Sequence, residues 1–335
     1  MLVSNSSPDA ASRAAIRLLM ERLPGASTVE GSADLDLSSR SEQPQLRSAQ
    51  IVEGNTLRAI KVPDVTRTIV SGFRAFLDGA QKVRMIGRHL NVPLVLGTAS
   101  AAVRVRVNRR LITWGGRPPR LEQKLYLPLK YLPLLTGSGS SAPMQYGQFQ
   151  VVDTSTPDST GEYPSEHPTT LLERAIRAVD RQRDALEDEL AEAWCALGEA
   201  PLFIDGGISR SGRVASSASA IGVIKSHRTL YVEGDALKTV VGLAKGERSS
   251  VFLVSPRSRS EVMSWYLRLR DPAGHDVLWG LVRVEMSRCE NPTERANEIS
   301  RWVLAETSPL ALPDGRWDKM SYGIRDCEEF LRAIS

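Results

Sequence analysis

Hydrophobic and polar positions alternate over short stretches through most of this chain, a pattern typical of β-strands. Val103, Val105 and Val107 alternate with Arg104 and Arg106. This period of two places the valines and the arginines on opposite faces of one strand. Alternation and short apolar runs between turn residues together predict strands at 93–96, 102–107, 125–135, 145–152, 221–225, 251–254, 263–269 and 278–284.

Apolar residues at helical spacing predict helices at both ends and in the middle of the chain. The first covers about 9–23, and the longest covers about 170–197 with Thr169 or Thr170 as its N-cap. Mixed strands, a long crossover helix and late helices predict an α/β domain in which helices flank a mixed sheet. The later helices are predicted at 235–244, 293–307 and 326–334.

The composition changes near residue 55. Residues 25–50 are rich in Ser, Gly and acids and hold few large apolar groups, which indicates a mobile linker or an irregular surface loop. We therefore predict an N-terminal helical extension with a flexible linker at 1–54, followed by one domain at 55–335. The N-terminal helix either docks on a partner or folds back onto that domain.

Composition also limits the class of protein. The 335 residues are 41% hydrophobic and 24% charged, as in globular proteins, and neither a membrane-spanning run nor a secretory signal is apparent. The few, widely spaced cysteines favour a reducing, cytoplasmic location. The 4 histidines lack metal-ligand spacing. Any metal would therefore be held by carboxylates, which favours Mn²⁺ or Mg²⁺ over Zn²⁺.

Positive charge is concentrated in one segment, although the net charge is only +4. Between residues 104 and 130 there are eight basic residues and a single acid, Glu122. Such an excess attracts a polyanion such as the DNA backbone without reading its sequence. A solvated basic strand face is the alternative. The candidate DNA contacts in this segment are Arg104, Arg106, Arg109 and Arg110.

Two apolar runs end in the same dipeptide, Asp-Gly. They place Asp78 and Asp205 at the exits of predicted buried strands. One such dipeptide is an ordinary turn signal, but two carboxylates brought together by the fold form the core of a divalent-metal site for phosphodiester hydrolysis. A strand acid, antiparallel strands, a long helix and a second strand acid follow one another as in RNase H-like folds. The sequence therefore predicts an RNase H-like mixed sheet flanked by helices.

Further candidates lie on the long helix and after the next strand. Glu187 is the first candidate for a third metal ligand, and Glu189 is its main rival. Either acid is otherwise a solvated partner of an arginine. Lys225 ends an apolar run and would neutralise a substrate phosphate as a point charge; without that role it is a surface lysine.

Several short pieces follow one another in a fixed order within 73–325. They are Phe76-Leu-Asp78-Gly79, Arg183 with Glu187, Phe203-Ile-Asp205-Gly206, Gly222-Val-Ile-Lys225-Ser226, Trp265-Tyr266-Leu267-Arg268-Leu269, Val282-Arg283-Val284-Glu285 and Tyr322. Their order resembles that of the NurA nucleases. The resemblance implies an RNase H/PIWI-like core, Mn²⁺-dependent exonuclease and endonuclease activity on DNA, and a homodimer. It also implies partnership with a HerA-type hexameric ATPase that translocates DNA, in DNA end processing or anti-phage defence.

The resemblance also assigns roles, and one position departs from it. It makes Asp78, Glu187 and Asp205 metal-binding acids and Tyr322 a late active-site tyrosine. The family pattern places a histidine about two helical turns after that tyrosine, whereas no histidine follows His275 here.

Two interpretations of the missing histidine stay open. Either Asp326 or Glu329 substitutes as a ligand, or the second metal is weak or absent. In the latter case the chain is a catalytically weak, nuclease-like adaptor that caps or regulates the ATPase.

Overall fold

The computed structural model describes residues 8–28, 44–63, 71–135, 144–198, 200–255, 259–307, 319 and 321–334. Within these ranges the helices are α1 (Pro8–Arg22), α2 (Pro168–Cys195), α3 (Gly212–Ser216), α4 (Gly234–Val241), α5 (Pro292–Glu306) and α6 (Tyr322–Ile334). The strands are β1 (Ala26–Thr28), β2 (Gln45–Leu46), β3 (Gln50–Ile51), β4 (Ala59–Lys61), β5 (Ala75–His89), β6 (Val92–Val107), β7 (Arg110–Thr113), β8 (Arg120–Leu127), β9 (Gln145–Tyr146), β10 (Phe149–Asp153), β11 (Leu202–Asp205), β12 (Ala220–Ile224), β13 (Thr229–Leu230), β14 (Glu247–Ser249), β15 (Phe252–Val254), β16 (Val262–Arg268) and β17 (Leu281–Met286).

Most of these strands form one mixed sheet with the path β3-β15-β16-β17-β12-β11-β5-β6-β8-β10-β9. At its centre β5, β6 and β8 are antiparallel neighbours. On the other side of β5, β11 and then β12 run parallel to it. The order β8-β6-β5-β11-β12, with α2 crossing over before β11, is that of an RNase H-like sheet. The predicted fold class, an α/β fold with helices flanking a mixed sheet, is confirmed.

The strand pleat separates the core into two layers, because successive side chains point to opposite faces. On one face, Leu77 and Ile204 lie in a buried cluster with Leu190 of α2. On the other face, Phe76 and its neighbours on β11 and β12 pack with side chains of α5 and α6. In the middle of β5, odd-numbered residues such as Leu77 therefore face α2, and even-numbered residues such as Phe76 face α6.

The structure joins two predicted strands into one. The expected strands at 93–96 and 102–107 belong to the continuous β6, which pairs with β5 along its length. The residues between them are small and buried beneath α2. At Gly97 a Cβ would lie 2.4 Å from Val179 Cγ2, so close helix packing requires glycine there. The small and polar residues of this stretch had predicted a break between two strands.

Several element boundaries also differ from the predictions, and two of the differences have a clear local cause. The strand expected at 125–135 ends at Leu127, and two 3₁₀ turns follow it, because proline at 128 and 133 cannot donate to a strand ladder. The long helix begins at Pro168, and its N-cap is His167, whose Nδ1 accepts a hydrogen bond from Thr169 N at 3.3 Å. The predicted threonine caps were wrong because a histidine ring can accept this bond as well.

The N-terminal helix is folded back onto the sheet domain, one of its two predicted arrangements. Its side chains Ala15, Leu19 and Leu23 are buried in a cluster with Ile86 and Leu94 of the central hairpin. Residues 44–54, expected in a linker, contribute β2, which pairs with β13, and β3, which pairs with β15. Residues 26–28 of the expected linker form β1, which pairs with β5. Residues 29–43 lie outside the described residues, and the domain division at residue 54 stays a prediction.

None of the helices within the described ranges is both long and apolar enough to cross a membrane.

Candidate metal centre

Strand register brings the two Asp-Gly motifs together. In the parallel pair β5–β11, Phe203 lies opposite Phe76 and Ile204 lies opposite Leu77, so the next positions are Asp205 and Asp78. Each aspartate lies two residues after its phenylalanine, and side chains two residues apart on a strand point to the same face. Both aspartates therefore lie on the α6 face of the sheet. The structure places the two predicted acids side by side at the centre of the fold.

Helix α6 contributes a third carboxylate, that of Glu328. The helix lies directly on β5: a Cβ at Gly323 would be 2.2 Å from the Phe76 ring, and Cys327 Sγ donates to Phe76 O at 3.4 Å. This contact carries Glu328 over the strand acids. One oxygen from each of Asp78, Asp205 and Glu328 lies within 4.8 Å of the others.

The third acid is not one of the two named from the sequence. Asp326 Oδ1 accepts from Arg104 Nε at 2.5 Å, and Glu329 Oε1 accepts from Arg325 Nε at 2.8 Å. A usable signal was present, because Glu328 sits on the stripe defined by the apolar residues at 324, 327 and 331. That stripe faces β5, whereas Asp326 reaches Arg104 of β6 and Glu329 pairs with Arg325 on its own helix.

A lysine completes the cluster. Lys225 follows β12, and its Nζ donates to Asp205 Oδ2 at 2.8 Å. Burial acts to lower the pKa of Lys225, but Asp205 and then Asp78 outweigh it, so the pKa lies above its ordinary value. The lysine is therefore a fixed positive charge that only partly neutralises the three acids.

The electrostatics of Asp78 fit a cation site. Burial raises the pKa of Asp78 well above its ordinary value of 3.8, Asp205 adds to the rise, and Lys225 opposes it. Carboxylates that are forced together and only partly neutralised are stabilised by a divalent ion. Three carboxylates, without a thiolate or an imidazole, form the oxygen-only donor set that Mg²⁺ and Mn²⁺ prefer.

Glu187 approaches the cluster from the opposite face of the sheet. It lies on α2 against Gly79, where a Cβ would be 2.3 Å from its Oε1. Its carboxylate pairs with Arg183 at 3.4 Å and Arg210 at 3.0 Å. Burial raises the pKa of Glu187, and the two arginines oppose the rise. The structure thus places Glu187 beside the three-acid group rather than in it, while the rival Glu189 pairs with Arg120 at 3.3 Å.

Substituting Gly79 tests whether Glu187 supports the metal centre. Gly79→Ala should displace the Glu187 carboxylate because the added methyl occupies its place. We expect Mn²⁺ affinity to fall about 10- to 100-fold, as when groups supporting metal ligands are changed. Overpacking should cost about 1–3 kcal/mol of stability. Calorimetric titration and thermal melts measure both.

The matched control for Gly79→Ala is Gly115→Ala, since a Cβ there meets nothing within 4 Å. An unchanged Mn²⁺ affinity in Gly79→Ala would exclude Glu187 from the centre.

Comparison with known proteins assigns no family to the chain. No protein-family model matches it, and no curated protein does. Among solved structures it is similar to the NurA nuclease from Sulfolobus solfataricus, with a TM-score of 0.43 and 9% sequence identity, covering 85% of this chain and 81% of that chain. A similarity this low shows neither a common family nor a common function, so function rests on the chemistry of the site.

The predicted DNA contacts fall into two groups. Arg104 pairs with Asp326, and Arg106 pairs with Glu306 through bonds of 2.7 and 2.8 Å. Both arginines are thus engaged within the fold. The other two, Arg109 and Arg110, lie exposed at the turn between β6 and β7. Their contact with DNA stays a prediction.

Tyr322 is a predicted site residue that lies on the same helix as Glu328 but on a different side of it. It begins α6, is 48% exposed and lines a surface groove with Arg109. Because an α-helix turns about 100° per residue, six residues place Tyr322 about 120° around the helix from Glu328.

A salt-bridged loop holds Asp205, and sequence reasoning missed part of it. Arg210, five residues after Asp205, pairs with Asp184, Glu187 and Asp188 at 2.9–3.1 Å. Nothing in the local sequence separates it from other arginines. On the other side of this loop, Glu285 Oε2 accepts from Ile208 N at 2.8 Å.

The pair Arg283–Glu285, at 2.6 Å, is a structural ion pair on β17. It helps to fix the backbone that follows Asp205, because Glu285 binds both Arg283 and the loop.

Proposed function

We propose that this chain is a divalent-metal-dependent deoxyribonuclease that hydrolyses phosphodiester bonds. The observation that carries the proposal is the convergence of Asp78, Asp205 and Glu328 with Lys225 at the centre of an RNase H-like sheet. Three oxygen ligands for a hard cation and one fixed positive charge are the groups that phosphoryl chemistry requires.

Each group has a distinct role in this proposal. Asp78, Asp205 and Glu328 would hold Mn²⁺ or Mg²⁺. The ion, when bound, polarises the phosphate and lowers the pKa of a water. Lys225 neutralises a phosphate oxygen as a point charge. The side chains of Asp205 and Glu328 are 19% and 15% exposed, so the cluster can be reached from solvent.

The substrate and the partners are proposed on different grounds. The exposed Arg109 and Arg110 would contact the backbone of DNA without reading its sequence. A homodimer, a HerA-type ATPase partner and a role in end processing or anti-phage defence come only from the motif resemblance and stay predictions. Exonuclease and endonuclease activities, the preference for Mn²⁺ and a cytoplasmic location also stay predictions.

Glu328→Gln is the variant that tests the proposal. We expect cleavage of linear and circular DNA with Mn²⁺ to fall about 10²-fold or more, because an amide neither carries charge nor replaces a carboxylate ligand. Glu294→Gln on α5 is the matched control. Asp326→Asn and Glu329→Gln should leave Mn²⁺ affinity unchanged, since neither carboxylate belongs to the three-acid cluster.

The same experiment separates nuclease from adaptor. Full cleavage by Glu328→Gln would refute the assignment of the third acid. No cleavage by the unaltered protein with Mn²⁺ or Mg²⁺, even with a HerA-type ATPase bound, would refute the nuclease and favour the adaptor. The three-carboxylate cluster supports the nuclease, because it supplies an acid where the family pattern has a histidine.

A further inference from the structure

A groove beside the first turn of α6 lies outside the metal centre. Its volume is about 590 Å³, and three arginines, two acids, Leu111 and Tyr322 line it. The charge of its walls is largely cancelled in pairs: Arg106 binds Glu306, and Arg325 binds Glu329. The lining acid Asp326 is likewise paired, with Arg104.

Arg109 is the exception among these charges. It lies at the tip of the β6–β7 turn in the left-handed region, with φ of 66°, and its side chain is exposed. It makes no ion pair within the described part of the chain. Among the described residues, Arg109 is therefore the lining charge of this groove that has no counter-charge, and it lies beside an aromatic ring.

Tyr322 presents that ring to the groove. Its 48% exposure is high for a large aromatic side chain, and neither its ring nor its hydroxyl has a partner among the described residues. Since α6 rises about 1.5 Å per residue, Tyr322 lies about 9 Å along the helix axis from Glu328, and it also points to a different side of the helix.

We propose that the groove binds a single DNA strand, with one base stacked on the ring of Tyr322 and an adjacent phosphate paired with Arg109. This rests on the proposed nuclease function and names its substrate class. Stacking on an aromatic side chain requires an exposed base face, which single strands offer and duplexes hide. Tyr322 thus acts through its ring on a nucleotide outside the metal centre, and its hydroxyl takes no part in the chemistry.

Binding without metal tests the proposal independently of cleavage. Fluorescence anisotropy with a labelled 12-nucleotide oligo-dT in EDTA measures affinity in the full chain. We expect Tyr322→Ala to weaken binding about 5- to 100-fold and Tyr322→Phe to bind as the unaltered protein does. Arg109→Ala should reduce the slope of log affinity against log salt concentration by about one, the contribution of a single phosphate contact. Tyr163→Ala, at a tyrosine that is 51% exposed, is the matched control.

The proposal would be overturned if Tyr322→Ala bound oligo-dT within about twofold of the unaltered protein, or if Tyr322→Phe bound it as weakly as Tyr322→Ala. It would also be overturned if Tyr322→Ala lost as much affinity for a blunt 12-base-pair duplex as for the single strand. Absence of nuclease activity is a separate result, because no arm of this binding measurement depends on metal.

Discussion

Replacing Asp78 with asparagine should abolish metal-dependent cleavage and, in the absence of metal, make the protein more stable. The carboxylate lies buried against Asp205 and Glu328, so its ionised form is unfavourable until a cation binds. Asparagine keeps the shape and the acceptor oxygen for Gly79 N, bonded at 2.8 Å, and removes the charge. We expect a fall in cleavage of about 10³-fold and a rise in melting temperature of about 2 °C or more in EDTA.

The pH dependence of this stabilisation has a fixed sign. Burial, and next Asp205, raise the pKa of Asp78 above 3.8 in the folded protein. Folding therefore loses stability as pH rises from that value and Asp78 becomes ionised. The advantage of Asp78→Asn should grow from pH 4 toward neutrality and vanish at lower pH.

Thermal melts in EDTA from pH 3 to pH 8 measure this difference. Asp158→Asn is the control, and its effect on stability should have the opposite sign. A side-chain hydrogen bond from Thr160 and then backbone hydrogen bonds lower the pKa of Asp158, so its ionised form is the one that folding favours. A variant Asp78→Asn that melts below the unaltered protein at pH 7, or that still cleaves, would contradict the assigned site.

Arg248→Met should be the most destabilising single change away from the metal centre. Arg248 is fully buried on β14, and its guanidinium donates to both oxygens of Glu53 at 2.6 and 2.8 Å. Burial alone would raise the pKa of Glu53, but Arg248 and the amide of Val251 keep it below its ordinary value. Without the arginine, Glu53 is a buried unpaired charge, at a cost of about 3–5 kcal/mol.

Chemical unfolding measures this loss of unfolding free energy, and two further variants show whether the unpaired charge of Glu53 causes it. Arg248→Met combined with Glu53→Leu should recover most of the stability, because the orphan charge is gone. Arg213→Met, at an arginine whose side chain is 84% exposed, should change stability by less than about 0.5 kcal/mol. If Arg248→Met were equally mild, Glu53 and the segment around it would not be part of the folded domain.

The sequence predicted those features of the fold that depend on local periodicity. Alternating valines and arginines predicted the second half of β6, and the apolar stripe of α2 predicted a crossover helix within two residues of its ends. Mixed strands, the crossover helix and the late helices led to the α/β class. The Asp-Gly repeat, with the order of elements between its copies, led to the RNase H-like arrangement. Local patterns failed where packing decided, as at Gly97, where a small-residue stretch continues a strand beneath a helix.

The sequence by itself determined that Asp78 and Asp205 end two buried runs and that Lys225 ends a third. Only the tertiary structure decided their neighbours: parallel register set the two aspartates side by side, and the contact of Gly323 with Phe76 brought Glu328 above them. It also placed Glu187 on the opposite face with Arg183 and Arg210. The physical reason is that side-chain direction follows from local backbone geometry, whereas the partner a side chain meets depends on elements far away in the chain.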